Sequence, residues 1–230
     1  MRIGLIAEGA SELRILKHII GRYLGSDHEV NEIQPRTNPD GSQEGEGGWT
    51  RVIQTFEHEG TVRDALIEND YVLIQIDTDQ AQIAPFSVNI LNENGQCCSS
   101  DILYDRVRER IMDHIPNLTD EERSRVLLAI CIHEIECWLL PLYYDDNKRC
   151  KTTQCVKYLN DELVKNKIHP LSDGNKNRPE ARRTYNTILG KLRKPKDIKE
   201  CALYNYGFLQ FENQLSTLLD QLGKECISRC

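Results

Sequence analysis

Tyr71-Val72-Leu73-Ile74-Gln75-Ile76-Asp77-Thr78-Asp79 is an apolar run, rich in β-branched residues, that stops at two carboxylates two positions apart. A continuous run of this kind reads as a strand buried on both faces of a parallel sheet. Open α/β sheets place their ligands beyond the carboxyl ends of the strands. Asp77 and Asp79 therefore occupy the position from which a site is built, and as a pair they suit a divalent cation.

Two further apolar runs share this form. Arg2 to Ala7 reads as a first strand that meets Glu8-Gly9 in a tight turn, and Val126 to Ile132 ends at His133-Glu134-Ile135-Glu136. Between them, Leu13, Leu16, Ile19, Ile20 and Leu24 keep helical spacing, with Ser11 as the expected N-cap and Gly25 as the stop. A weaker strand is expected near Glu29 to Gln34, then a long polar loop from Thr37 to Gly48. Trp49 to Ile67 reads as helix interrupted at Gly60, and residues 101–114 as another helix. Thr119 opens a short helix with a capping pattern. Strands alternating with helices predict an α/β fold with a mostly parallel sheet flanked by helices.

Length and composition set the frame. At 230 residues, 39% hydrophobic and 28% charged, the chain is expected to form a soluble globular protein. No apolar run nears the ~20 residues that span a bilayer, and the first residues do not resemble a signal peptide, so a cytoplasmic location without membrane association is expected. The nine cysteines include no Cys-x-x-Cys pair. Reduced thiols are the expectation, with Cys131 and Cys137 in the core.

The formal net charge of −7 argues against a generic nucleic-acid binder, but its distribution is uneven. From Asn147 to Lys199 there are fifteen Lys and Arg against five Asp and Glu, which leaves the remainder of the chain at −17. A basic segment on an acidic body is the asymmetry expected when carboxylates bind metal and a separate surface meets phosphate; a merely solvated helical surface is the plainer reading. Two basic helices are expected there, Val156 to Ile168 and Ala181 to Leu192, followed by an amphipathic helix from Phe208 to Leu222. The candidate nucleic-acid contacts are Lys176, Arg178, Arg182, Arg183, Lys191 and Arg193. Two regions follow: a core at 1–145, and a basic helical segment at 146–230 packing back on it.

In a parallel sheet the acidic strand ends share one edge. Glu8, Asp77, Asp79, Glu134 and Glu136 then converge, with Glu12 one helical turn away, and would repel one another without a cation. Mg²⁺ prefers hard oxygen ligands and retains waters for a substrate phosphate, which permits metal-assisted phosphodiester cleavage. Each residue also has a structural reading: Glu12 as an acid in a first helical turn, Asp77 and Asp79 as turn formers, His133 as a packed or capping residue. Spacing does not choose between Glu134 and Glu136.

Glu8-Gly9-Ala10-Ser11-Glu12 after a strand, then Ile76-Asp77-Thr78-Asp79 about 70 residues on, resembles the Toprim fold of topoisomerases, primases and overcoming-lysogenization-defect nucleases. Glu134-Ile135-Glu136-Cys137-Trp138-Leu139-Leu140 and the aromatic stretch Tyr204 to Leu215 are similar to segments of small bacterial Toprim-like proteins associated with anti-phage defence. The resemblance covers residues 1 to 145 and the last helix, and departs from the pattern at Gln80. It implies Glu8 as general acid/base or metal ligand and Asp77 and Asp79 as catalytic metal ligands. Glu12 and Glu136 are implied as further ligands, for Mg²⁺ with Mn²⁺ as the alternative. It also admits an ATPase or other defence-system partner, and an oligomer. The expected function is a metal-dependent nuclease of DNA or RNA. The alternatives are a non-catalytic Toprim-like binding module and a haloacid-dehalogenase-type phosphotransferase, whose Asp-x-Asp nucleophile motif matches Asp77-Thr78-Asp79 but leaves Glu8 unexplained.

Overall fold

The computed structural model describes residues 1–25, 28–172 and 178–228, the last seven by backbone alone. The chain opens with β1 (Arg2–Ile6), turns at Glu8-Gly9 and enters α1 (Ala10–Leu24). Gly25 ends that helix at φ +75°, a conformation glycine reaches without a Cβ penalty. β2 (Glu29–Gln34) follows. The expected loop from Thr37 to Gly48 instead contains half of a small antiparallel hairpin, β3 (Arg36–Thr37) with β4 (Gln43–Glu44). Next come α2 (Trp49–Glu57) and α3 (Thr61–Glu68), broken at the left-handed Gly60, and then β5 (Tyr71–Asp77).

α4 (Ser100–His114) and α5 (Asp120–Ser124) lead into β6 (Val126–Cys131), and a full capping box at Thr119 starts α5. Residues Ile135–Leu142 wind as a 3₁₀ helix, in which Pro141 removes a backbone donor. The carboxy-terminal helices are α6 (Cys155–Lys165), α7 (Pro179–Leu189), α8 (Pro195–Ala202) and α9 (Tyr206–Ser228). α8 has no counterpart in the sequence reading. Its eight residues lie between two stronger patterns.

The principal sheet has the order β2-β1-β5-β6 with every pair parallel, in a Rossmann-like α/β arrangement. The side-chain period of two sorts each strand between two cores. Val72, Ile74 and Ile76 face the layer of α2, α3 and α4, where Phe56, Val107 and Ile111 are buried. Leu73 faces the opposite layer with Ile3, Leu5, Ala129 and Cys131, against α1 and the carboxy-terminal helices. Gln75 and Asp77 share the parity of Leu73, so the two polar residues of β5 turn toward α1 and α7. That alternation places the site.

β6 is the sheet edge, and α9 covers it. The Gln214 side chain accepts from the Leu128 amide and donates to the Leu128 carbonyl, both at 2.9 Å, as a neighbouring strand would. Gly207 brings α9 so close that any Cβ there would collide with the Ile130 carbonyl. Among the described residues, no helix is long and apolar enough to cross a membrane.

The expectation of reduced thiols is corrected at one pair. Cys137 and Cys155, both fully buried, form a disulfide that ties the 3₁₀ segment to the start of α6, while Cys131 and Cys201 are buried free thiols. Neither partner lies in a spacing that announces a bridge; packing of α6 on the 3₁₀ segment brings them together. Closing an 18-residue separation constrains the unfolded chain by about 3 kcal/mol. A Cys155→Ala protein is expected to lose about that much in urea denaturation. An unchanged midpoint would mean that the pair is reduced in solution.

Candidate metal centre

The acidic candidates Glu8 and Asp77 lie at the carboxyl edge of the parallel sheet, one following β1 and the other ending β5. They form the first group. Strand register sets Asp77 opposite Cys131 on β6, and Glu8 reaches across from the end of β1. One Glu8 carboxylate oxygen accepts from the Asp77 amide at 2.6 Å. Gln75 completes the frame: its carbonyl oxygen accepts from the Glu8 amide at 3.0 Å, and its amide nitrogen donates to Asp77 Oδ1 at 2.9 Å. Gln75 is fully buried and Asp77 is 8% exposed.

Glu12 and Glu136 make the second group through Tyr185, which feels the charge of both. Glu12 sits in the first turn of α1, and both of its carboxylate oxygens accept from the Ser11 hydroxyl, at 2.8 and 2.9 Å. Ser11 is thus not the expected N-cap. Gly9 holds that position, and Gln43 from the β3–β4 hairpin accepts from the Ala10 amide at 3.2 Å. Glu136 is fully buried and accepts from the Tyr185 hydroxyl at 2.6 Å.

Tyr185 on α7 senses both acids. Its hydroxyl pKa is pushed well up by burial first, then by the charge of Glu136, then by that of Glu12. Glu12 packs on the turn after β1: a Cβ on Gly9 would lie 2.6 Å from Glu12 Oε2.

Cys131 reports the same field on the other side. Its thiol pKa is raised by burial, then by Asp77, with Glu8 contributing less. Carboxylates collected in so little solvent repel one another strongly. Their hard oxygens are of the type that Mg²⁺ or Mn²⁺ prefers, although among the described residues no three of these carboxylates bring ligand oxygens within 4.8 Å of one another. Glu8, Asp77, Glu12 and Glu136 are the residues that would hold the ion.

The remaining sequence candidates are placed elsewhere. Glu134 Oε1 accepts from the amides of Cys155 and Val156, at 2.8 and 3.2 Å, and so caps α6. This separates it from Glu136, a choice that spacing left open. Glu134 does lie with the sulfurs of Cys137 and Cys155 within 4.8 Å, but bonded sulfurs are not thiolate donors. Asp79 is exposed at the rim, where its carboxylate accepts from Gln80 at 3.2 Å and its amide donates to the His133 carbonyl at 3.1 Å.

The basic candidates do not form a single stripe. Lys176 falls outside the described residues. Arg182 donates to the Asp40 carbonyl and has a side chain only 16% exposed, whereas Arg178 and Arg183 are exposed. Lys191 lies over the Tyr143 ring at 3.9 Å, and Arg193 donates to the Gly190 carbonyl at 3.2 Å. Consecutive residues of a helix point about 100° apart, so Arg182 and Arg183 serve different surfaces.

Gln75 and Tyr185 are therefore the functional candidates that sequence reasoning missed. For Gln75 there was a signal, an amide inside an otherwise apolar run; for Tyr185 there was none. Replacing Gln75 by Leu removes the partner of the Glu8 amide and a donor to Asp77. It is expected to cost about 1–3 kcal/mol in urea denaturation. Gln75→Glu, which adds a charge beside Asp77, is expected to cost more; equal stability of all three proteins would show that the frame does not form. Comparison with models of known protein families, with curated proteins and with solved structures finds no match to this chain.

Proposed function

We propose that the chain is a divalent-cation-dependent nuclease that hydrolyses phosphodiester bonds of DNA or RNA, with a role as an anti-phage effector. The observation that carries this reading is the placement of Glu8 and Asp77, framed by Gln75, at the carboxyl edge of a parallel sheet, with Glu12 in the first turn of α1 and Glu136 held by Tyr185. The order and spacing of the motifs shared with Toprim proteins support it.

Mg²⁺ bound there would supply charge neutralisation at the phosphate and an acidified water. The protein's part is orientation and proton transfer. Gln75 and the Asp77 amide fix the carboxylates of Asp77 and Glu8 in one arrangement, so little reorganisation precedes the reaction. Glu8, oriented by the Asp77 amide, would take the proton of the attacking water. Tyr185, whose raised pKa keeps it protonated, holds Glu136 in place as a hydrogen-bond donor.

The test is titration of Mg²⁺ or Mn²⁺ into the purified protein with mixed DNA and tRNA substrates, beside Glu8→Gln. Cation-dependent cleavage that disappears in the folded variant is expected. Cleavage that persists in both Glu8→Gln and Asp77→Asn overturns the proposal. The exposed Arg178 and Arg183 favour one other reading, a module that binds nucleic acid without turnover. It predicts salt-sensitive binding, weakened by Arg183→Gln, with no product under any cation.

A further inference from the structure

We propose that the recess between α1 and α7 is a phosphate-binding subsite in which Arg14 and Arg182 clasp one phosphate oxyanion. The recess encloses about 350 Å³, is lined by Ala10, Arg14, Lys17, His18, Glu32 and Asn186 among others, and opens beside the hairpin residue Gly41. Arg14 lines it, and the Arg182 guanidinium stands at its Gly41 edge. Arg14 Nη2 and Arg182 Nη1 lie 3.6 Å and 3.0 Å from the point where a Cβ on Gly41 would stand. Gly41, at φ +77°, is a position that disfavours side chains, so this residue places no side chain against the two cations.

Of the two cations, Arg14 is the poorly compensated one. Arg14 is half-buried and carries five donors, yet its one side-chain hydrogen bond among the described residues is a 3.4 Å contact to the neutral Asn186 amide. No carboxylate of the described residues lies within ion-pair distance of it. Glu32, the acid that lines the recess, is committed to the Lys17 ammonium and to the Thr37 amide and hydroxyl, the last two at 2.7 Å. Asp40 stands 3.9 Å from Arg182 Nη1, but it is mostly exposed and its Oδ1 already accepts from the Ser42 amide and hydroxyl at 2.8 and 2.6 Å.

Two like charges withdrawn from water without a shared counter-ion are costly. A phosphate, which accepts from two guanidinium forks at once, removes that cost.

The placement links the subsite to the carboxylates. α1 carries Glu12 toward the metal centre and Arg14 toward the recess. α7 carries Tyr185 toward the centre and Asn186 and Arg182 toward the recess. The same two helices thus hold an acidic station and a basic one side by side. Resting on the nuclease reading, the assignment of the oxyanion is a phosphodiester of the nucleic-acid backbone flanking the one that is cleaved. Free inorganic phosphate has the same chemistry, and the experiment distinguishes the two.

The probes are inorganic phosphate, read by thermal unfolding at ionic strength matched with chloride, and a labelled single-stranded oligonucleotide, read by anisotropy in EDTA. Both are applied to the full chain and to Arg14→Gln and Arg14→Lys. The expected result is oligonucleotide binding about ten- to a hundredfold weaker in Arg14→Gln, with the salt slope reduced by about one and partial recovery in Arg14→Lys. Stabilisation by inorganic phosphate is expected for the wild-type chain and not for Arg14→Gln.

Loss of the phosphate effect with unchanged oligonucleotide binding overturns the backbone assignment and leaves a site for free phosphate. Equal responses of all three proteins to both probes overturn the subsite altogether. Absence of cation-dependent cleavage, with the Arg14 effects intact, would fault the nuclease reading and not the subsite.

Discussion

Asp77→Asn is expected to fold like the wild-type chain and to lose at least about 10²-fold in cleavage rate. The substitution is nearly isosteric and keeps an oxygen at Oδ1, so the Gln75 donor at 2.9 Å retains its acceptor. The amide of residue 77 still donates to Glu8. What goes is one negative charge from a crowded, largely buried group of carboxylates. That removes a cation ligand and relieves repulsion together, so stability should stay level or rise while activity falls. Initial rates measured beside thermal unfolding check both halves. A rate loss accompanied by unfolding would assign Asp77 a structural role.

The largest effect on stability is expected at Trp138. It is fully buried, and its ring stacks on Phe208 at 4.5 Å between centroids and on Phe211 at 5.7 Å, fastening α9 to the 3₁₀ segment that carries Glu136. Trp138→Ala empties the centre of that stack, and α9 cannot follow inward because Gly207 already packs against the Ile130 carbonyl of β6. A cavity that cannot collapse carries the upper part of the usual penalty, about 3–5 kcal/mol. Urea denaturation should show the midpoint falling at a constant slope. Trp138→Phe, which keeps an aromatic face for Phe208, should recover a large part. A loss below about 1 kcal/mol in Trp138→Ala would show that the stack does not fasten α9.

The strands of this chain were legible because burial on both faces leaves little room for polar alternation, so Val126–Cys131 stands out as an unbroken apolar run and Val72–Ile76 as one interrupted at Gln75 alone. Their acidic ends were legible for the same reason, as abrupt stops. Once the strands are known to be parallel, Glu8 and Asp77 must share an edge.

Elsewhere the deciding information is tertiary. Glu134 and Glu136 are equivalent in spacing, and only the packing of α6 against one and α7 against the other tells them apart. Tyr185 is 49 residues from the carboxylate it holds. The Cys137–Cys155 bridge likewise follows from helix packing. The basic segment illustrates a different limit: its charge count is plain, but the phase of α7 sends Arg182 inward to the hairpin and Arg183 to solvent. Counting charges could not reveal that Arg14, on a helix from the acidic half, lies near Arg182 beside Gly41.

The most direct test of the metal centre is equilibrium Mn²⁺ binding followed by electron paramagnetic resonance, without nucleic acid, in the wild-type chain and in Asp77→Asn. The carboxylates predict saturable binding by the wild-type protein that weakens at least about tenfold when Asp77 is neutralised. Indistinguishable isotherms for two equally folded proteins, or no saturable site in either, would contradict the account.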